Sequence, residues 1–190
     1  KLDVVIYNHT LLDLYCLNKK KTNVHLKFNT GMNRYGFDAG ELNSIVSKIK
    51  QHLHIKILSI CSHLAKSENN TTRKDTLEQI ERFNTLSKKF EIAFGEKTTR
   101  HLLNSHGVLN FGKHQMEAVR IGIGLYGSVN DLALKQISSL KSIVAQIRTV
   151  KKGAYIGYGS SFVSKKRMKI GVVPVGYADG INRRLSNSVG

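Results

Sequence analysis

Within fifteen residues, Val24–Asp38 (VHLKFNTGMNRYGFD), the chain passes from one structural period to another. Val24, Leu26 and Phe28 alternate with His25, Lys27 and Asn29, the two-residue period of a strand. Asn29-Thr30-Gly31 then has the composition of a turn, and Asp38-x-x-Glu41 has the spacing of a capping box that opens a helix. A strand therefore delivers Lys27, and the loop after it delivers Arg34. In α/β folds ligands bind at that carboxyl end of the strand. Taken alone, an ordinary strand–loop–helix unit with two solvated cations accounts for this stretch.

The same grammar repeats along the chain. Leu2–Tyr7 reads as a buried parallel strand, Ile55–Ile60 as a third strand, His101–Leu103 as a short one and Val119–Tyr126 as the last. Between them, Asn8 or Thr10 would cap a helix to about Asn18, with Leu11, Leu14, Tyr15 and Cys16 inward. Glu41–Leu53 carries Leu42, Ile45, Val46, Ile49 and Leu53 at helical spacing. Asp75-x-x-Glu78 opens a helix through Leu77, Ile80, Phe83, Leu86 and Phe90, and Phe111–Ala118 reads as a short one. Strands alternating with helices predict a parallel sheet or barrel. Beyond Gly127 the helical rhythm stops. Ser128–Ser139 reads as a connection with some helical character, and Lys141–Val150, Lys151–Tyr158 and Lys169–Val175 read as β. The expected organisation is an α/β fold: a partial (β/α)₈, TIM-like barrel over 1–130, a connecting segment over 131–140 and the start of an all-β domain over 141–190. Both units are expected to be cut short, so the chain reads as a fragment.

Charge raises a different class of partner. The chain has 30 Lys and Arg against 13 Asp and Glu, a net charge of +17. Nucleic acid is the first thought for such a balance. Yet Lys19–Lys21, Lys88-Lys89, Lys151-Lys152, Lys165–Arg167 and Arg183-Arg184 are short clusters at element ends, without interleaved aromatics. They read as solvated faces, so neither nucleic acid nor a membrane is the expected partner. Cys16 and Cys61 stand far apart and read as small buried hydrophobes in a reducing, cytoplasmic setting. His52-x-His54 lacks a third ligand nearby, so no metal site is expected.

Several stretches, in order, carry more information. HLK-x-N-TGM-x-R-x-G in Val24–Asp38 is followed by Ser62-His63-Leu64-Ala65 and Asn104-Ser105. Then come Val119–Gly127 (VRIGIGLYG), Gly157-Tyr158-Gly159 and Val173–Gly180 (VPVGYADG). Together this set resembles the signatures of alanine racemases, pyridoxal-phosphate enzymes that interconvert L- and D-alanine and supply D-alanine for peptidoglycan. The resemblance runs from about Val24 to Asn187 and implies a β/α barrel followed by a β domain.

The resemblance also implies roles. Ser105 and the backbone N–H groups of Gly122 and Ile123 would hold the cofactor phosphate, with small residues letting the backbone approach. His63 would lie against the pyridine ring. Arg120 would face the pyridine nitrogen; always charged, it favours an unprotonated nitrogen, which suits racemisation and disfavours transamination. Arg34 would contact the phenolic oxygen and the alanine carboxylate. Lys27 would sit beside it as a lysine that can be carbamylated, which would relieve the repulsion of two neighbouring cations. Asn29 stands where the family has aspartate and leaves that compensation open. Tyr158 would be the catalytic base and acid, entering the active site of the partner in a homodimer with shared sites. Tyr177 and Arg183 would line the substrate entrance, and Glu68 would add to the barrel side. The family's early lysine, which carries the cofactor in a K-x-N-A-Y-G-H-G-type motif, has no counterpart in these residues. The fragment alone is therefore expected to be inactive.

Other readings fit parts of the pattern. A lone strand-end His63, a solvated Arg120 and a tight turn at Gly157–Gly159 are each ordinary. A serine or lysine racemase of the same fold stands close. A non-racemising pyridoxal-phosphate barrel stands further off, with Arg120 and Tyr158 together against it. A basic nucleic-acid-binding module is the remaining alternative.

Overall fold

The computed structural model describes residues 2–68, 73–127 and 134–185. By its contacts the chain separates into two units, 1–137 and 138–190. In the first, β1 (Val4–Ile6), β2 (Thr22–Lys27), β3 (Ile55–Cys61) and β4 (Thr99–His101) pair in parallel, in sequence order. Helices α1 (His9–Leu17), α2 (Leu42–Lys50) and α3 (Arg73–Phe94) form the crossovers, and α4 (Ser105–Phe111) follows β4. Parallel neighbours joined by helical crossovers are the construction of a β/α barrel, here a four-strand part of one.

The helices form where the apolar period meets the sheet. In α2, Leu42, Ile45, Val46 and Ile49 are all buried, and Glu41 Oε2 accepts the Asp38 N–H at 2.7 Å before the helix begins. The helix ends at Lys50, so Leu53, expected inward, is 94% exposed. Asn8, not Thr10, caps α1, its Oδ1 accepting from Leu11 N–H at 2.8 Å. That phase buries Leu12 and Cys16 and turns Leu14 outward, the reverse of the expectation for Leu14. In α3 the apolar face of Ile80, Phe83, Leu86 and Phe90 is flanked by buried polar residues, among them Gln79. Asp75 lies inside the first turn and its carboxylate accepts from Lys66 Nζ at 2.7 Å, so it does not cap the helix as expected. Phe28 sits at the centre of the core, 6.2 Å from the Phe37 ring and 6.1 Å from Phe90.

Two further expectations fail after β3. The strand at His101–Leu103 lies earlier, at Thr99–His101, and the helix at Phe111–Ala118 is replaced by α4 at Ser105–Phe111 and one 3₁₀ turn, Gly112–His114. Asn104 sets that start, accepting from Gly107 N–H at 2.8 Å. The strand at Val119–Tyr126 survives only as an Ala118–His101 bridge and an Arg120 N–H to Leu103 O bond of 3.0 Å. Ser105 Oγ takes the N–H groups of Gly122 and Gly124, which a strand would offer to a neighbour, and the backbone coils into a 3₁₀ turn, Ile123–Tyr126.

In the second unit, β5 (Gln146–Val150) pairs antiparallel with β8 (Met168–Val172), and β6 (Tyr155–Ile156) with β7 (Phe162–Val163). Lys151–Tyr158 is thus only the first arm of a hairpin whose turn contains Tyr158. Ser164 alone is buried among the described residues of this unit. The helical character expected within Ser128–Ser139 falls partly outside the described residues; those from 134 onward have no regular element.

Candidate active site

The loop after β2 is closed by a Phe28–Phe37 bridge, with Asn29 N–H donating to Phe37 O (2.8 Å) and Phe37 N–H to Lys27 O (2.9 Å). Gly36 makes the closure possible: its φ is +122°, and a Cβ there would stand 2.5 Å from backbone atoms of Phe28 and Asn29. Asn29 builds the rest. Its Oδ1 accepts from the N–H groups of Gly31 (3.2 Å) and Asn33 (3.0 Å), and its Nδ2 donates to Asn33 Oδ1 (2.9 Å) and Asp38 Oδ1 (3.1 Å). This side chain folds the loop and does not serve Lys27. Lys27 and Arg34 instead share the ring of Tyr35, with Nζ 5.6 Å and Cζ 5.8 Å from its centroid. Tyr35 stands edge-on to Tyr7 at 4.8 Å. Burial draws the Lys27 ammonium below its usual pKa, and Arg120 and Arg34 push it the same way.

Arg120 occupies a corner built by the ends of β3 and β4. Its Nη1 donates to His101 O (3.0 Å) and His101 Nδ1; its Nη2 donates to Ser62 O, His63 Nδ1 (3.1 Å) and Leu102 O (3.2 Å). Five acceptors thus claim the four Nη hydrogens, while no acceptor for Nε–H is present among the described residues. Burial lowers the pKa of His63, and Arg120, Lys27 and Arg34 lower it further. His101 falls to about 4, through burial first and then Arg120 and His25.

These bonds fix a direction. Arginine only donates, so Nδ1 of neutral His101 accepts and Nε2 carries the proton. Nε2 donates to Ser59 Oγ at 2.8 Å, and the hydroxyl donates onward to His25 Nδ1 at 2.6 Å. The β2–β3 register skips Leu58, a bulge that brings Ser59 opposite His25. Sequence reasoning singled out none of His25, Ser59 and His101. The HLK string and the histidine at the end of β4 were visible, but the bulge that aligns them was not.

Beside Arg120, Ser105 Oγ accepts from Gly122 N–H (3.0 Å) and Gly124 N–H (3.1 Å). A Cβ on Gly124 would stand 3.2 Å from Ser105 Oγ, so the backbone packs tightly round the hydroxyl. Ile123 N–H opens the 3₁₀ turn without an acceptor among the described residues. Lys27, Arg34, His63, Ser105, Arg120, Gly122 and Ile123 all belong to the first unit; Glu68 is exposed there. Tyr158, Tyr177 and Arg183 belong to the second. Tyr158 is fully exposed in its hairpin turn, between Gly157 (φ +80°) and Gly159 (φ +62°). Arg183 Cζ lies 5.4 Å from the Tyr177 ring centroid.

Residues 1–130 match the family profile "Alanine racemase, N-terminal domain", and residues 137–190 match "Alanine racemase, C-terminal domain". The alanine racemase of Fusobacterium nucleatum is 35% identical over 170 residues, which covers 86% of this chain and 46% of that protein. The structure of the biosynthetic alanine racemase of Pseudomonas aeruginosa superposes with a TM-score of 0.82 at 31% identity, covering 96% of this chain and 51% of that one. A Bartonella henselae alanine racemase with covalently bound pyridoxal phosphate superposes with a TM-score of 0.77 at 26% identity, over 96% and 51% of the two chains. This chain spans about half the length of the curated relatives it matches. The ordered barrel sector, the start of a β unit and two adjacent profiles that together take in nearly every residue lead to one conclusion: the chain belongs to the alanine racemase family.

Proposed function

We propose that the full-length protein interconverts L- and D-alanine with pyridoxal phosphate, as a cytoplasmic homodimer supplying D-alanine for peptidoglycan. The barrel part over 1–130 would hold the cofactor, and the β part over 141–190 would bring Tyr158. The single observation that carries this reading is the Arg120 corner. A guanidinium is fixed by five acceptors, with one N–H left over, next to two histidines kept neutral.

The donor set fits the cofactor. Lys27, Arg34 and Arg120 make the rim cationic, as a phosphate and a carboxylate both require. The Ser105 hydroxyl and the Ile123 N–H would hold the phosphate, joined by the Gly122 N–H once it turns from Ser105 Oγ, which accepts it at 3.0 Å. His63, held by Arg120 at Nδ1, would pack against the ring. Arg120 would present Nε–H to the ring nitrogen and, unable to give up its proton, keep that nitrogen unprotonated. When bound, the cofactor supplies a conjugated ring that withdraws electrons from the substrate α-carbon. Arg34 would orient the alanine carboxylate, and Lys27 would steady Arg34, as a cation across Tyr35 or as a carbamate. Tyr158, from the partner subunit, would take or return the α-proton on one face. Tyr177 and Arg183 would border the entrance. A group on the opposite face is also required, because one base on one face returns the proton where it left.

The experiment is racemisation by the full-length protein with pyridoxal phosphate in D₂O, followed by proton NMR and polarimetry. Both enantiomers of alanine are expected to lose optical rotation and exchange the α-proton. Exchange with retained configuration, or preference for serine or lysine over alanine, would refute the reading.

A further inference from the structure

We infer that Gln79 is a positioning residue that locks the loop carrying Arg34 to the loop carrying His63. The inference rests on the racemase reading given above. Gln79 reaches the rim from α3, outside the sheet, and is only 4% exposed. Its amide is fully used. Nε2 donates to His63 O at 2.7 Å and Thr30 Oγ1 at 3.2 Å, and Oε1 accepts from Ala65 N–H at 2.9 Å. Turning the amide over would set Oε1 against His63 O and the NH₂ group against Ala65 N–H, so a single orientation satisfies all three. Thr30 Oγ1 in turn lies 2.7 Å from Ser62 Oγ, and Thr30 and Ser62 are both buried. The Ser62 carbonyl is one of the acceptors that fix Arg120.

The consequence is a defined spacing. Thr30 belongs to the loop that Asn29 folds and that ends in Arg34, Tyr35 and the Phe37 bridge. His63 and Ala65 belong to the loop after β3. One amide spans both, so the group proposed for the substrate carboxylate and the ring proposed to lie against the cofactor cannot drift independently. Gln79 touches neither ligand and acts through Thr30 and His63.

The test uses the full-length protein and the variants Gln79→Met and Gln79→Glu. Methionine keeps the length and packing but leaves His63 O and Ala65 N–H without the bonds that the Gln79 amide gives them. The dissociation constant for pyridoxal phosphate should rise about 5- to 100-fold. The Michaelis constant for alanine should rise more than the turnover number falls, and the visible circular dichroism of the bound cofactor should weaken. Glutamate still accepts from Ala65 N–H but regains a donor to His63 O only when protonated. Its cofactor affinity should therefore recover towards wild type as the pH falls, burial, Asp75 and Glu78 raising the pKa of the new carboxyl and the neighbouring Arg82 and Lys66 lowering it. Gln79→Met should show no such recovery. Wild-type affinity, Michaelis constant and dichroism in Gln79→Met would overturn the inference while leaving the racemase reading intact. Should that variant fail to fold, Gln79→Glu without pH-dependent recovery would overturn it equally. A wild-type protein that binds no pyridoxal phosphate would overturn the racemase reading itself.

Discussion

The Arg120 corner and the Tyr158 hairpin are two opposite ways to carry a side chain proposed to act in the site. Arg120 is anchored within its own unit, to three backbone carbonyls and two histidines. Tyr158 stands fully exposed in a five-residue hairpin turn, 157–161, with no side-chain partner among the described residues. The first is preorganised by the chain that bears it, and its cost is met by the surrounding core. The second has a conformation set by two left-handed glycines, and its chemistry depends on the surface it meets. Lys27 and Arg34 fall between the two, held by a shared Tyr35 ring that fixes distance less strictly than carbonyl acceptors do.

The contrast breaks most sharply at Tyr158. Tyr158→Phe in the full-length protein should keep pyridoxal phosphate bound and lose about 10²–10⁴-fold in racemisation rate. Mixing Tyr158→Phe subunits with Arg120→Glu subunits should restore about half-site activity, because a heterodimer puts both lesions in one site. Proven subunit exchange without recovery would show that the tyrosine does not act across the dimer. Arg120→Lys keeps the charge but offers three hydrogens where five acceptors wait. Leaving carbonyls short should cost about 1–3 kcal/mol in urea unfolding, along with weaker cofactor binding. Unchanged stability would mean that the corner is not anchored as drawn.

A pH titration sharpens the same side. His101 titrates at about 4 in the folded protein, below the ordinary 6.5 that it has when unfolded. As the pH falls, the unfolded chain binds the proton first. Stability is therefore complete above about 6.5 and is lost between there and about 4. A histidine NMR titration that places His101 above 6.5 would contradict this. The smallest effect is expected in the loop: Asn29→Asp should cost about 1 kcal/mol, because it sets a carboxylate against Asp38 and removes the two Nδ2 donations. A gain in stability would instead mean that a carboxylate at this position serves Lys27.

Local period was legible in the sequence, and so was cap chemistry at Asn8 and Asp38-x-x-Glu41, though not at Asp75 or Asn104. The alternation from Val24, the helix at Leu42–Ile49 and the parallel strand from Ile55 are set by neighbouring residues, and they are found where the sequence puts them, whereas Leu2–Tyr7, read as a buried strand, shrinks to Val4–Ile6 with Val5 exposed. Signals that depend on distant partners were not legible. Val119–Tyr126 has strand composition, yet the Ser105 hydroxyl captures its amides. Asn29 reads as a missing carboxylate, yet it builds the loop. Gln79 reads as one polar residue of an amphipathic helix, and His25, Ser59 and His101 become a chain only through a bulge in β3. For the proposed site residues, the signatures gave positions in the chain, while their hydrogen-bond valences became visible only in three dimensions.

In the proposed complex Arg120, with its Nη hydrogens already taken, would turn its remaining N–H to the cofactor ring and keep the ring nitrogen unprotonated. The most direct measurement is the nitrogen-15 chemical shift of ring-labelled pyridoxal phosphate bound to the full-length protein at neutral pH. An unprotonated pyridine shift in wild type, moving to the protonated position in Arg120→Glu, is the predicted result. A protonated nitrogen in wild type, or no movement on substitution, would contradict it.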